Sequence, residues 1–126
     1  MYLLDTCTFL WLLDDPAKLS STARETLRSE PRFFVSVISA WEIQIKFNEG
    51  KLHLRRPPQT WWHQETARRS LHELSLDSDA VMLLSRLPDA HSDPFDRMLI
   101  CQALARGLTI ITPDPLIHSY RVPVLW

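Results

Sequence analysis

The sequence predicts a single α/β domain over residues 1–126, with five strands in a parallel sheet and helices on both of its faces. Three observations lead there. Short apolar runs alternate with longer amphipathic segments, as strand–helix units do. Two of those runs, Phe33–Val37 and Leu108–Ile111, read as nearly continuous apolar stretches, the signature of strands buried on both sides. A chain of 126 residues, 45% hydrophobic and 23% charged, also suits one core, and no repeat, low-complexity tract or linker divides it.

The elements follow in order. Tyr2–Leu4 reads as strand one, cut off by Asp5-Thr6, and Thr8–Leu13 as a helix stopped by Pro16. Ser20 or Ser21 caps a helix through Ser29, with Ala23 and Leu27 on one face. Phe33–Val37, β-branched and aromatic, is strand two. Ser39 opens a helix carrying Trp41, Ile43, Ile45 and Phe47, with Gly50 just past its end. After a loop over Lys51–Pro58, Thr60 caps a helix over Trp61–Leu71. Leu74–Leu76 is a weak third strand, and Asp77 caps a helix through Leu87. Pro88–Asp93 is a connector, and Asp93-Pro94 starts a helix to Arg106 that Gly107 ends. Leu108–Thr112 is strand four, Pro115–Tyr120 a short helix or turn, and Val122–Leu125 strand five.

Fourteen Lys+Arg stand against 15 Asp+Glu, a net charge of −1, which argues against a polybasic nucleic-acid binder but not against an enzyme that meets nucleic acid locally. The charge is uneven: residues 51–72 hold Lys51, Arg55, Arg56, Arg68 and Arg69 against one acid, Glu65. Cys7 and Cys101 sit in apolar runs with no CxxC, so buried thiols in a reducing compartment are expected. Met1–Leu13 lacks the basic start and small-residue end of a signal peptide, and no apolar run reaches the roughly 20 residues that span a membrane. A cytoplasmic protein is expected.

Ligands of open parallel sheets sit outside the carboxyl ends of the strands, and acids recur there. Asp5 ends strand one, Glu42 and Asp96 lie one turn into two helices, and Asp114 follows strand four. Local roles compete. Ser39-Ala-Trp-Glu42 is a capping box, Asp93 suits an N-cap, and Asp114 between two prolines suits a turn. Asp5 resists such a role because it interrupts an apolar run. Crowded carboxylates repel one another, and oxygen-only ligands without a Cys/His cluster favour Mg²⁺ or Mn²⁺, the equipment of phosphodiester hydrolysis.

Four blocks resemble the PIN domain, and more narrowly VapC-type toxins: MYLLDTCTFLW, SVISAWEI, HSDPFDRMLI and LTIITPD, in the family's order from Met1 to Asp114. The resemblance implies a five-stranded parallel sheet and a metal-dependent endoribonuclease that leaves a 5′-phosphate. It maps the family's acids onto Asp5, Glu42, Asp96 and Asp114, with Asp93 an extra carboxylate that binds metal through water or only caps a helix. On this reading Asp5 and Asp96 hold the principal Mg²⁺, for which Mn²⁺ can substitute. Glu42 and Asp114 complete the site, Thr6 and Thr112 orient the acids, and Arg97 meets RNA. It also implies a small antitoxin partner and a homodimer. Five tryptophans (Trp11, Trp41, Trp61, Trp62 and Trp126) are too many for so small a core, so some are available to a partner. Trp61 and Trp62 beside the basic residues could also stack on bases. His91 is expected to position its loop rather than bind metal.

Two other strand-one acids compete. A haloacid-dehalogenase-type phosphatase needs a second Asp where Cys7 stands, and a receiver needs a Lys that Leu108–Pro115 lacks. A non-catalytic PIN-like RNA- or protein-binding scaffold stays open.

Overall fold

A computed structural model describes all residues, 1–126. Five strands, β1 (Tyr2–Leu4), β2 (Phe33–Ser36), β3 (His72–Leu74), β4 (Thr109–Ile111) and β5 (Val124–Leu125), form one sheet in the order β3-β2-β1-β4-β5. Every pairing is parallel. The chain builds outward from β1 to β3 and then crosses back to β4, so the direction of strand addition reverses between β1 and β4. That reversal opens a crevice at the carboxyl ends of those two strands.

The helices are α1 (Thr6–Asp14), α2 (Ser21–Ser29), α3 (Val37–Asn48), α4 (Pro58–Arg68), α5 (Ser78–Met82), α6 (Pro94–Arg106) and α7 (Pro115–His118). They cover both faces because strand side chains alternate. Leu3 and its partner Ile110 join a core built with Leu99, Ile100 and Ala103 of α6. Their neighbours Leu4 and Ile111 point the other way, into a core with Phe9 of α1, Ile43 of α3 and Trp61 and Trp62 of α4. Phe9 stands edge-on to both tryptophans, with ring centroids 5.8 and 5.4 Å away.

Helix ends obey their caps. Ser20, Asp77 and Asp93 cap α2, α5 and α6 through side-chain oxygens, and Gly50 and Gly107 take left-handed φ of 71° and 65° just beyond α3 and α6. Four expectations shift. Helix α3 begins two residues before Ser39, capped by Ser36, whose hydroxyl accepts the Ile38 N–H at 3.0 Å. Helix α4 starts at Pro58 instead of after Thr60, since proline at the first helical position has its φ preset and no N–H to lose. The third strand lies at His72–Leu74 because its register with β2 pairs Phe34 with His72 and Ser36 with Leu74. Asp77 does begin a helix, but it breaks at Met82 into a 3₁₀ turn over Leu83–Arg86.

Candidate active site

Asp5 leaves β1 and caps α1: Oδ1 accepts the Thr8 N–H at 2.8 Å and Oδ2 accepts the Thr112 hydroxyl at 2.6 Å. Across the crevice Asp114 follows β4, and its Oδ1 accepts the Leu116 N–H at 2.9 Å at the start of α7. Asp93 caps α6 through Oδ1, which accepts the N–H groups of Phe95 and Asp96 at 2.8 and 3.4 Å. Asp96 stands one turn into that helix, and Glu42 lies buried on α3. All five carboxylates line one cavity of about 380 Å³. For Asp5, Asp93 and Asp114 a cap is compatible with a place in this cavity, because a carboxylate has two oxygens and a cap uses one.

Glu42 is different. Because Ser36 caps α3, no capping box forms at Ser39, and the local explanation for Glu42 disappears. Ser39 instead accepts the buried Thr6 hydroxyl at 2.8 Å. Thr6 therefore reaches a serine, whereas Thr112 bonds a site carboxylate directly and also accepts the Asp114 N–H at 3.0 Å. Glu42 Oε2 pairs with Lys46 Nζ at 2.9 Å, while Oε1 is buried with no hydrogen-bond partner. Lys46 is the one cation lining the cavity. It sits four residues after Glu42, a spacing at which helical side chains meet, and that signal was present in the sequence.

The electrostatics record this crowding. Burial is the main force raising the Asp5 carboxyl above its ordinary value, against the lowering bonds from Thr112 and Thr8. Asp96 is pushed up to about 7, first by burial and then by the charges of Asp93, Asp5 and Glu42. Burial lowers the Lys46 ammonium, but the bond to Glu42 and the surrounding acids outweigh it and the net direction is up. Cys7 at the same cavity is pushed up to about 11 by burial and then by Asp5, so it is a thiol and not a nucleophile. An orphaned buried carboxylate oxygen, raised carboxyls and an all-oxygen donor set fit a hard divalent cation such as Mg²⁺ or Mn²⁺.

Beside the acids lies a network whose detail the sequence did not reveal. His91 is buried, and its Nε2 lies 3.0 Å from Asp114 Oδ2 and 3.0 Å from Asp96 Oδ2. Its backbone N–H donates to the Tyr120 hydroxyl at 2.9 Å, and that hydroxyl donates to Pro88 O at 2.8 Å. Arg97 does not line the cavity. Its Nη1 donates to Pro88 O at 2.8 Å and to Tyr120 at 3.2 Å and lies 3.6 Å from Asp89, with the side chain 14% exposed. The expected substrate contact of Arg97 gives way to a bracing role under the Pro88–Asp93 connector.

The basic stretch forms a separate cleft of about 610 Å³ at the far end of α1, roughly 12 Å along the helix from Thr6. Its size exceeds that of the carboxylate cavity, but its chemistry is a set of cations. Buried Glu65 engages Arg56 at 2.8 Å and Arg68 at 3.5 Å, while Arg55 and Arg69 have no carboxylate within 4.0 Å. Trp61 and Trp62 are core residues, each 6% exposed, although Trp61 also forms part of this cleft's wall. Trp41, 58% exposed and 5.0 Å edge-on from Phe95, is the exposed tryptophan.

A parallel α/β domain with acids gathered where its strand order reverses is a class of fold and site that hard-cation enzymes share. The chain belongs to the PIN domain family, which matches residues 2–122. It is 28% identical over 123 residues to Ribonuclease VapC22 of Mycobacterium tuberculosis, covering 96% of this chain and 92% of the relative. The fold is similar to that in the crystal structure of VapBC2 from Rickettsia felis bound to a promoter DNA fragment. There the TM-score is 0.74 at 13% identity, over 98% of this chain and 96% of the other. DNA-bound VapBC from Salmonella typhimurium gives 0.71 at 19% identity, again over 98% and 96%. The expected five-stranded parallel fold and the family resemblance are both borne out. No helix is long and apolar enough to cross a membrane.

Proposed function

We propose that this protein is a Mg²⁺-dependent endoribonuclease, the toxin of a VapBC-type toxin–antitoxin pair, acting in the cytoplasm with Mn²⁺ as a substitute metal. The observation that carries the reading is the convergence of Asp5, Glu42, Asp96 and Asp114 on one cavity in which a buried Glu42 oxygen has no partner. Asp5 and Asp96 are the principal metal residues, and Glu42 and Asp114 complete the set. Asp93 keeps Oδ2 clear of its capping bonds for contact through water. When bound, the cation supplies activation of water and neutralises charge building on the phosphate. The protein fixes the ligands beforehand: Thr112 and the Thr8 N–H lock Asp5, and Thr6 braces Ser39 on the first turn of the Glu42 helix. Lys46 holds Glu42 at the mouth.

RNA phosphates meet the unpaired guanidinium groups of Arg55 and Arg69. A small antitoxin is the proposed partner, supported by likeness to chains of VapBC complexes, and a second copy of the chain is proposed beside it. The test is cleavage of RNA in Mg²⁺, its loss in EDTA, and its loss in Asp5→Asn and Asp96→Asn variants that keep the wild-type circular dichroism spectrum. Wild-type cleavage by both variants overturns the assignment. RNA binding without cleavage in any divalent metal favours the non-catalytic scaffold.

A further inference from the structure

The two ring nitrogens of His91 have different partners, and the difference decides what the ring does. Nδ1 lies 3.2 Å from the backbone nitrogen of Asp93 and accepts its N–H. A nitrogen that accepts carries no proton, so in the neutral ring the proton resides on Nε2. Nε2 then donates to Asp114 Oδ2 at 3.0 Å, with Asp96 Oδ2 equally near. The three atoms lie within 4.8 Å of one another, a spacing that invites a metal among them. The tautomer argues against His91 as a ligand. Ligation through Nε2 would move the proton to Nδ1, where it would face another donor, and metal-binding histidines ordinarily give that second N–H to an acceptor.

We propose that His91 is a positioning residue of the metal site: its Nε2–H holds Asp114, at the end of β4, while its buried ring stands 3.0 Å from Asp96 of α6 and fixes where the two acids meet. One oxygen of Asp114 is thereby held in place beside Asp96 before the cation arrives. The ring is itself anchored three ways, by Asp93 N–H on Nδ1, by Tyr120 on its backbone N–H, and by burial. Arg97 reinforces the anchor through the Tyr120 hydroxyl and Pro88 O. The inference rests on the metal-dependent reading above and adds to it a residue that touches neither metal nor RNA.

The test uses the full-length protein and direct Mn²⁺ binding, by electron paramagnetic resonance or calorimetry, so that it does not depend on RNA. His91→Leu removes the donor, and Mn²⁺ affinity should fall about 10- to 100-fold, the usual effect of losing a residue that orients ligands. His91→Gln places an amide N–H near the former Nε2 and should restore most of that affinity, and high Mn²⁺ should recover RNA cleavage in His91→Leu. A folded His91→Leu that binds Mn²⁺ like wild type overturns the proposal, as does an equal loss in His91→Gln, which would mark the ring as a ligand. Should His91→Leu not fold, ¹⁵N NMR of the wild-type imidazole still decides: the Nε2–H tautomer must be present without metal and persist with Mg²⁺. An Nδ1–H tautomer, or an Nε2 that loses its proton on Mg²⁺ addition, overturns it. A wild type that binds Mn²⁺ but cuts no RNA sinks the nuclease reading and leaves the positioning test intact.

Discussion

Replacing Asp96 by Asn should stabilise the metal-free protein while destroying its activity. Asp96 ordinarily titrates at 3.8 and in the fold at about 7, raised by burial first and then by Asp93, Asp5 and Glu42. Between those values the folded chain holds a proton that the unfolded chain has released, so stability falls as pH rises through this window. Each tenfold change in proton affinity is worth about 1.4 kcal/mol, which caps the penalty above pH 7 at about 4 kcal/mol. Solvent reaches 17% of the side chain and the neighbouring acids share the proton, so the expected gain is about 2 kcal/mol. In a chain of 126 residues that is a melting temperature higher by roughly 5–10 °C. Asparagine keeps an oxygen that can stay near His91 Nε2, so the comparison isolates the charge. The assay is thermal unfolding in EDTA from pH 4 to pH 8. The gap should be absent near pH 4, open through pH 5–7 and stay level above. A variant no more stable than wild type at pH 8, or a gap independent of pH, would refute the reasoning. Mg²⁺ should then raise the wild-type melting point and not that of the variant.

Two further outcomes follow from the packing and the charges. Phe9→Ala removes a fully buried ring that meets Trp61 and Trp62 edge-on, and should cost about 3–5 kcal/mol in urea unfolding; a loss under 1 kcal/mol would contradict that packing. Lys46→Met leaves both oxygens of buried Glu42 without a cation, so the protein in EDTA should lose about 1–3 kcal/mol. Mg²⁺ should bind the same variant more tightly than wild type by calorimetry, and weaker binding would show that Lys46 assists the metal instead of competing for Glu42.

Much of the fold was legible because its rules are local. The β1 and β2 strands declare themselves by apolar runs, and Asp93-Pro94 and Gly107 mark both ends of α6 by local capping and backbone preferences. The same locality limits the reading. Ser36 and Ser39 are equally good caps by type; only the pairing of Ser36 with Leu74 across β2 and β3 ends the strand at Ser36 and makes it the cap. Lys46 is legible from its four-residue spacing after Glu42, a rule as local as the caps.

Taken alone, the sequence determined an α/β chain with acids at the strand ends and a resemblance to one family, since strand periodicity, caps and short motifs are set by neighbours in the chain. Tertiary structure decided the rest. His91 meets Asp114 across 23 positions, Thr112 meets Asp5 across 107, and Tyr120 reaches back 29 to His91. No spacing rule encodes such contacts, because they depend on which strands lie side by side where the sheet reverses. That reversal brought separate capping aspartates to one cavity, while packing on Phe9 buried Trp61 and Trp62 and the Pro88 carbonyl and Tyr120 engaged Arg97.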